Sequence, residues 1–475
     1  MGAVQAQTYP EPSMRKSYSV LAAGQTLRVA VVQEGIYKIT YEDLVRQGLL
    51  SQAVASHKIT LYGNTAGMLP FFNAPGIYDD LSPLPVQMHD GNDGTFGPGD
   101  YFLFYGQSPH RWSYNATGRE FSYTRHYFCD SVFYFVSLNA ELEHRIETSP
   151  SESESSAEQL TWFPEHIRHE NDLVNLCDGG LDWLGESFTL SSNSRSLPLA
   201  TPDPVPGQKG ILYAATGAQT SDGTGSFRIQ LNQTRLSLYH SPMGSDNTYD
   251  AAQTKDSVQV NSGTSTDNIS FTKTGNTNKG YLDYLSLVYP RYLRLNGAYL
   301  FFRHPQAIGN AVRFSLEAPA GTQIWDITDV YHIDAIATTT ESGSLHFSTT
   351  PDNSLLEYVA FNPSLCPSPI FKELVQPQNL HQLKNIDYVV VTHPLFLEQA
   401  REIARLHQER DGYSTCVATT AQVYNEFSSG AKDPSAIRLF LRHLDIRSDT
   451  NHKPRYLLLF GDASYDYKNI LGKTT

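Results

Sequence analysis

The residues best suited to chemistry stand near the end of the sequence. In "YLLLFGDASYDYKN", residues 456–469, an apolar run breaks at Gly461-Asp462 and is followed by Asp466 and Lys468. A buried strand that delivers carboxylates to a surface has this form. Upstream, the apolar run of "IDYVVVTHP" ends at Thr392-His393. An imidazole and two carboxylates at strand ends are the side chains that move protons or orient a charged intermediate. Each also has a plainer role, the commoner outcome for such residues. Thr392 or His393 can cap the helix that follows, and Asp462 can complete a turn after Gly461.

A nucleophile to accompany them is missing. Cys416 lies inside an apolar run and is expected to be buried and inert, because a reactive thiol needs access and a stabilised thiolate. Cys366 sits in the Pro-rich connector "NPSLCPSP" with no base beside it in sequence. No G-x-S-x-G elbow, H-E-x-x-H helix or Walker loop occurs. "HIRHE" places His166 and His169 three apart, a spacing that pairs metal ligands on a helix, but no third ligand is identifiable and a surface helical turn is the better reading. "DGNDGTFGPGDYFLFYG", from Asp90, is oxygen-rich, which makes calcium the one cofactor to weigh, through Asp90, Asn92 and Asp93. Asp93 falls one place early for an EF-hand loop, so a Gly/Asp turn reads better. Asn115, Asn232 and Asn268 open N-x-[ST] sequons.

The elements that must position these groups are legible after about residue 380. "IDYVVVT", "YSTCVAT" and "RYLLLF" are continuous apolar runs, as in parallel strands buried on both faces. Between them, Pro394 opens a helix with Phe396, Ala400, Ile403 and His407 on one face, closed at Gly412. A second helix opens with Asp433 as N-cap and Pro434, and buries Ile437, Phe440, Leu441 and Leu444. This β-α-β-α-β order implies right-handed crossovers and parallel strands, in a doubly wound α/β domain whose carboxyl edge holds His393, Asp462 and Asp466. Three such strands leave an apolar edge that a stable domain would cover, which predicts a continuation.

The preceding residues are β-rich. "LRVAVVQEGIYKIT" and "RHYFCDSVFYFVSL" read as hairpins, "YEDLVRQGLL" as a short helix ending near Gly48, and "KITLYGN" and "DYFLFYGQSPHRWSYN" as further strands. Part of 160–185 reads as helical. From about 186 to 350 the strand-and-turn spacing suits a β-sandwich, with 242–280 a long loop or hairpin excursion. The expected organisation is a tail or signal remnant (1–14), a β-rich domain (15–185), a β-sandwich-like domain (186–350), a linker (351–380) and the first half of an α/β domain (381–475).

Composition sets the outer bounds. A chain of 475 residues exceeds one ordinary domain, and 40% hydrophobic content supplies real cores. A formal charge of −14, without any basic run, argues against nucleic acid. No 18-residue apolar stretch spans a bilayer. "MGAVQAQTYP" lacks the charged start and apolar core of an intact signal peptide, though "VQA" resembles the end of one. The four cysteines form no CxxC pair; in an exported protein Cys129 and Cys177 could be oxidised, which sequence alone does not decide.

Several segments together resemble the gingipain-like cysteine peptidases, in particular the PorU-type sortases of the type IX secretion system. They are "GIYKITYEDL", "ITLYGNTAGMLP", "DGNDGTFGPGDYFLFYGQSPHRWSYN", "HENDLVNLCDGGLDWLGE", "GYLDYL", "VQPQNLHQLKNIDYVVVTHPLFLEQA", "VYNEFSSGAKDPSAIRLFLRHL" and "YLLLFGDASYDYKN". They follow the family order and cover most of the chain. The resemblance implies a caspase-like peptidase domain at the C-terminal end and an exported enzyme of the outer membrane surface. Its partners would be secreted cargo bearing C-terminal signal domains and other type IX secretion components. It would remove those signals and help attach cargo to lipopolysaccharide, by cysteine acyl transfer with a histidine activating the thiolate. The family's catalytic His and Cys match no position here, so the resemblance implies that this chain alone is inactive; Asp462 and Asp466 match the family's Gly-Asp loop. The alternative is a non-catalytic surface module whose β-domains bind a protein or glycan.

Overall fold

The computed structural model describes residues 16–74, 77–138, 144–150, 157–220, 225–243, 250–261, 266–275 and 279–472. They divide into two compact units, neither continuous in sequence. The first draws on residues up to Ser149, Trp325–Ala335 and Pro363–Ala463; the second on Pro150–Ile324, Ile336–Asn362 and the segment from Ser464.

The first unit opens with β1 (Thr26–Val31), β2 (Gly35–Thr40), α1 (Tyr41–Arg46), β3 (Thr60–Gly63), β4 (Tyr101–Gly106) and β5 (Val132–Ser137), and β6 (Ile370–Val375) returns to it much later. The order β6-β1-β5-β3, continued by Ser82–Leu84, makes a five-stranded antiparallel sheet; β2, β4 and Gln87–His89 make a second sheet. Leu27, Val29 and Val31 alternate along β1 and join Tyr134 and Val136 of β5, Ile39 of β2 and Phe102 and Phe104 of β4 in one core. α1 starts at a capping box between Thr40 and Asp43, and Gly48, at φ +78°, lies just beyond it.

Both expected hairpins are corrected. β1 and β2 do not pair with each other; β1 lies between β5 and β6, and β2 pairs with β4. The Glu34-Gly35 junction lacks the two-residue turn chemistry that fixes a hairpin register, and both strands find long-range partners. "RHYFCDSVFYFVSL" holds one strand, β5, with all six residues buried. Its N-terminal half is a turn in which His126 Nδ1 accepts the Phe128 and Cys129 N–H groups.

The unit closes with β7 (Tyr388–Thr392), α2 (Leu397–Asp411), β8 (Thr415–Thr419), α3 (Thr420–Phe427), α4 (Ser435–Arg447) and β9 (Tyr456–Phe460). The strands are parallel in the order β8-β7-β9. Tyr388 and Val390 face Ala400 and Ala404 of α2, while Val389 and Val391 face Val423 and Phe427 of α3 and Leu439, Phe440 and Leu444 of α4. Gly412, at φ +70°, ends α2 in the left-handed conformation. Asp433 Oδ1 accepts the Ser435 N–H at the start of α4.

The second unit is almost entirely antiparallel. One sheet runs Trp162–Glu170, Lys279–Tyr292, Lys209–Gln219, Ala252–Asn261; the other runs Ser194–Ala200, Thr266–Gly275, Gly225–Leu231, Thr234–His240. Leu212, Leu285 and Leu287 of the first and Phe227, Ile229 and Leu238 of the second share one core, which makes a β-sandwich. A further core gathers Phe302, Phe314, Phe347 and Tyr358, with ring centroids 5.0–6.3 Å apart. Two expectations fail here. The helix expected within 160–185 is the strand Trp162–Glu170, and the polar stretch 242–280 contributes one strand to each sheet of the sandwich. In both, backbone pairing to long neighbours decides the conformation that polar side chains leave open.

Candidate functional site

Three parallel strands bring their carboxyl ends to one edge. β7 is in register with both neighbours, Thr392 opposite Thr419 of β8 and Phe460 of β9. The Thr392 hydroxyl donates to the Phe460 carbonyl at 3.0 Å, tying the ends of β7 and β9 together. His393 follows β7 immediately and Gly461-Asp462 follows β9, so both residues stand at this edge, exposed to solvent. His393 Nδ1 accepts the Leu395 N–H at 3.3 Å and caps the short turn Pro394–Phe396. Asp462 accepts the Ala463 N–H at 2.8 Å and leaves its carboxylate otherwise open. Thr419 caps α3 through a capping box with Gln422. The edge is apolar as well as polar: Leu395 is 78% exposed, and on β9 Leu459 is 59% exposed. An open imidazole and an open carboxylate beside apolar surface can orient a substrate backbone or a neighbouring titrating group.

Asp466 is buried, and its two oxygens accept the Ile470 and Leu471 N–H groups at 2.7 Å each. Its carboxylate organises its own turn.

The other candidates fall elsewhere. His166 and His169 lie on the strand Trp162–Glu170, where an odd spacing places them on opposite faces. His169 Nε2 meets Glu186 at 2.9 Å, whereas His166 has a buried Nε2, and this desolvation, with the charge of Arg303, holds its imidazole well below the ordinary range. Asp90 accepts from the Ser56 hydroxyl at 2.5 Å and the Asn92 N–H at 3.1 Å, and Asp93 accepts the Thr95 N–H at 2.7 Å. Asn92, at φ +64°, joins them in a tight turn whose carboxylates serve the loop.

All four cysteines are free. Burial pushes the Cys416 thiol, in β8, up to about 12 and that of Cys366 up to about 11. Cys129 is buried with its thiol on the Ser131 carbonyl, and Cys177 is exposed. None of the four follows a strand of the parallel sheet. Sequence spacing did not single out another constellation, Asp79, His381 and His443, with Glu426 beside it. Its one signal is His443 on the apolar face of α4, beside Leu439, Phe440 and Leu444.

Residues 381–474, which contain the parallel sheet and its edge, match peptidase family C25. The C-terminal end of the chain is therefore an α/β segment similar to that family, preceded by β-rich units. Over 96% of its length the chain is similar to the crystal structure of dimeric latent PorU from Porphyromonas gingivalis, with a TM-score of 0.82 at 22% identity. It spans 43% of that chain. Two carbohydrate-binding modules align over shorter stretches. One is the CBM36-1 domain of a multidomain xylanase from the hindgut metagenome of Trinervitermes trinervoides, at 12% identity over 26% of this chain and 96% of that one, TM-score 0.17. The other is CBM35 from Cellvibrio japonicus Abf62, at 13% over 27% and 97%, TM-score 0.18. Neither score supports an argument. No curated protein matches this chain.

Proposed function

We propose that this chain is the N-terminal part of a gingipain-like cysteine peptidase of the PorU sortase type, which removes C-terminal signals from cargo of the type IX secretion system and helps attach that cargo to lipopolysaccharide at the outer membrane surface. The supporting observation is the coincidence of the C25 match at 381–474 with an in-register parallel sheet whose carboxyl edge presents His393 and Asp462. In this reading the edge is one wall of the active site. The nucleophile and its base belong to later strands, because none of the four cysteines here is both accessible and at the edge. The exposed Leu459 and Leu457 of β9 are assigned to packing against that remainder. No described helix is long and apolar enough to cross a membrane.

The test is genetic. Deleting the gene in the bacterium that encodes it, and reading the C-termini of secreted proteins by mass spectrometry, is expected to show cargo that retains its C-terminal signal. Unchanged C-termini would overturn the proposal. Peptide-cleavage assays on this chain alone are expected to be blank, and thiol-dependent turnover would contradict the assignment of the nucleophile to later strands.

A further inference from the structure

A buried set of polar side chains lies apart from the sheet edge, within the first unit. His381 and His443 are 0% exposed, and the Asp79 side chain is 9% exposed. His443 Nε2 lies 3.1 Å from the His381 carbonyl, which only accepts, so Nε2 carries a proton. Its other nitrogen is Nδ1. It faces Asp79 Oδ1 at 3.7 Å, and neither atom has a hydrogen-bond partner among the described residues. The two atoms are held face to face out of water, at a distance no hydrogen bond closes. His381 Nε2 lies 4.0 Å from the same Oδ1 and 2.8 Å from the Asp79 carbonyl.

The surroundings hold these groups in place. His381 Nδ1 meets Glu426 at 2.5 Å, and Glu426 also accepts the Leu380 N–H and the Gln378 amide at 2.9 Å. Asp79 Oδ2 accepts the Lys16 N–H at 2.8 Å, which turns Oδ1 toward the histidines. The His381 ring stacks on Phe427 with centroids 4.7 Å apart. Asp79 and Glu426 bring carboxyl groups to His381 and His443.

We propose that Asp79, His381 and His443 form a structural site for a divalent transition metal, Zn²⁺ foremost. Two imidazole nitrogens and a carboxylate oxygen are its ligand types, and the Asp79 carbonyl is a fourth oxygen at the same place. Adjacent ligands about 2.0–2.1 Å from Zn²⁺ stand roughly 3.3 Å apart in a tetrahedron; the Asp79 oxygen already lies 3.7 and 4.0 Å from the two histidine nitrogens, and all three atoms lie within 4.8 Å of one another. Glu426 on His381 and the His381 carbonyl on His443 are the partners that fix ligand tautomers in metal sites. Ligation replaces the Nε2 proton of His381, which leaves to solvent as the ion enters. The ion would join the loop at Asp79, the connector at His381 and α4, residues 62 and 302 apart in sequence.

The test is metal content and affinity of the purified protein. After chelation and re-equilibration with micromolar Zn²⁺, one ion per chain is expected, with a higher melting temperature and, with Co²⁺ instead, the visible absorption of a nitrogen- and oxygen-ligated ion. Asp79→Asn and His443→Gln are expected to abolish the stoichiometric ion. Glu426→Gln is expected to weaken it 10–100-fold. His407→Gln, on the surface of α2, is expected to change nothing. Should the two core variants fail to fold, the Co²⁺ spectrum of the wild type decides. Absence of a bound ion in the wild type, or Zn²⁺ retained unchanged by Asp79→Asn, would overturn the site.

Discussion

The second unit contains a histidine that ought to make it acid-labile. His304 is 5% exposed; its ring sits edge-on to Trp162, with centroids 4.6 Å apart. Its Nδ1 accepts the Gln306 N–H at 3.2 Å and caps the short helical turn Pro305–Ala307, a role that needs a neutral ring. Its Nε2 has no hydrogen-bond partner among the described residues, so a proton there would be unsolvated. Burial accordingly pushes the imidazole down to about 4 from 6.5. The folded value lies below the unfolded one, so the contribution is fully present above about pH 6.5 and is lost as pH falls toward 4. The 2.5-unit gap corresponds to about 3.4 kcal/mol once both transitions are passed. Between pH 7.5 and pH 5, where the unfolded chain is largely protonated and the folded chain is not, the loss is about 2 kcal/mol.

The perturbation is His304→Asn, which keeps a capping oxygen and removes the titration. Urea unfolding followed by tryptophan fluorescence, with Trp162 inside the affected site, is compared at pH 7.5 and 5.0. The variant is expected to be less stable at pH 7.5, because its contact with Trp162 is smaller. The informative quantity is the difference between the two pH values. Wild type should lose about 2 kcal/mol more than the variant on acidification. An equal loss in both proteins would refute the assignment of a neutral, buried imidazole to His304.

Other consequences can be measured on the same protein. Gly430 has φ +84°, and an added Cβ would lie 3.0 Å from the Phe133 Cβ, so Gly430→Ala should cost about 2 kcal/mol or more by urea unfolding. Gly48→Ala, at φ +78° with its nearest neighbour at 3.7 Å, should cost only about 1 kcal/mol. Asp466→Asn removes one of two acceptors for part-buried N–H groups and should cost about 1 kcal/mol, read as faster amide exchange at Ile470 and Leu471; Asp462→Asn, exposed, should stay within about 0.5 kcal/mol. A thiol reagent at pH 8 should label Cys177 first in the native protein, and Cys129 and Cys416 only on unfolding, as measured by peptide mapping.

The legibility of the sequence depended on how local each signal was. The strands of the parallel segment could be read, because each is an unbroken apolar run, and Pro394, Gly412 and Asp433 mark helix ends by backbone chemistry that acts within a few residues; the extra helix α3 and the exposure of β9, expected to be buried, could not. The β-rich parts gave strands but not partners. β1 and β2 are adjacent in sequence and belong to different sheets, since pairing is decided by which distant strand completes each apolar face. β6, which closes the sheet beside β1, lies more than 300 residues away. "HIRHE" shows the remaining ambiguity. Its polar residues fit an exposed helical turn and an outer strand equally well, and the long strand Lys279–Tyr292 beside it settles the matter.

The same distinction separates the two polar sites. His393 and Asp462 could be placed at the sheet edge because each follows its own strand directly, and strand ends are local features. What each does there depends on groups that approach the edge from elsewhere, which is why capping and turn formation remain their visible roles. Asp79, His381 and His443 are the converse case. None carries a local signal beyond one histidine on an apolar helix face, which most often means a satisfied core residue. The three-dimensional arrangement changes that reading: His443 is satisfied at Nε2 only, and its second nitrogen is aimed at a carboxylate oxygen that is equally unpartnered. Burying two such atoms against each other is costly unless something cationic lies between them. A chain that only needed to fill this space had leucine available, as the neighbouring positions of α4 show.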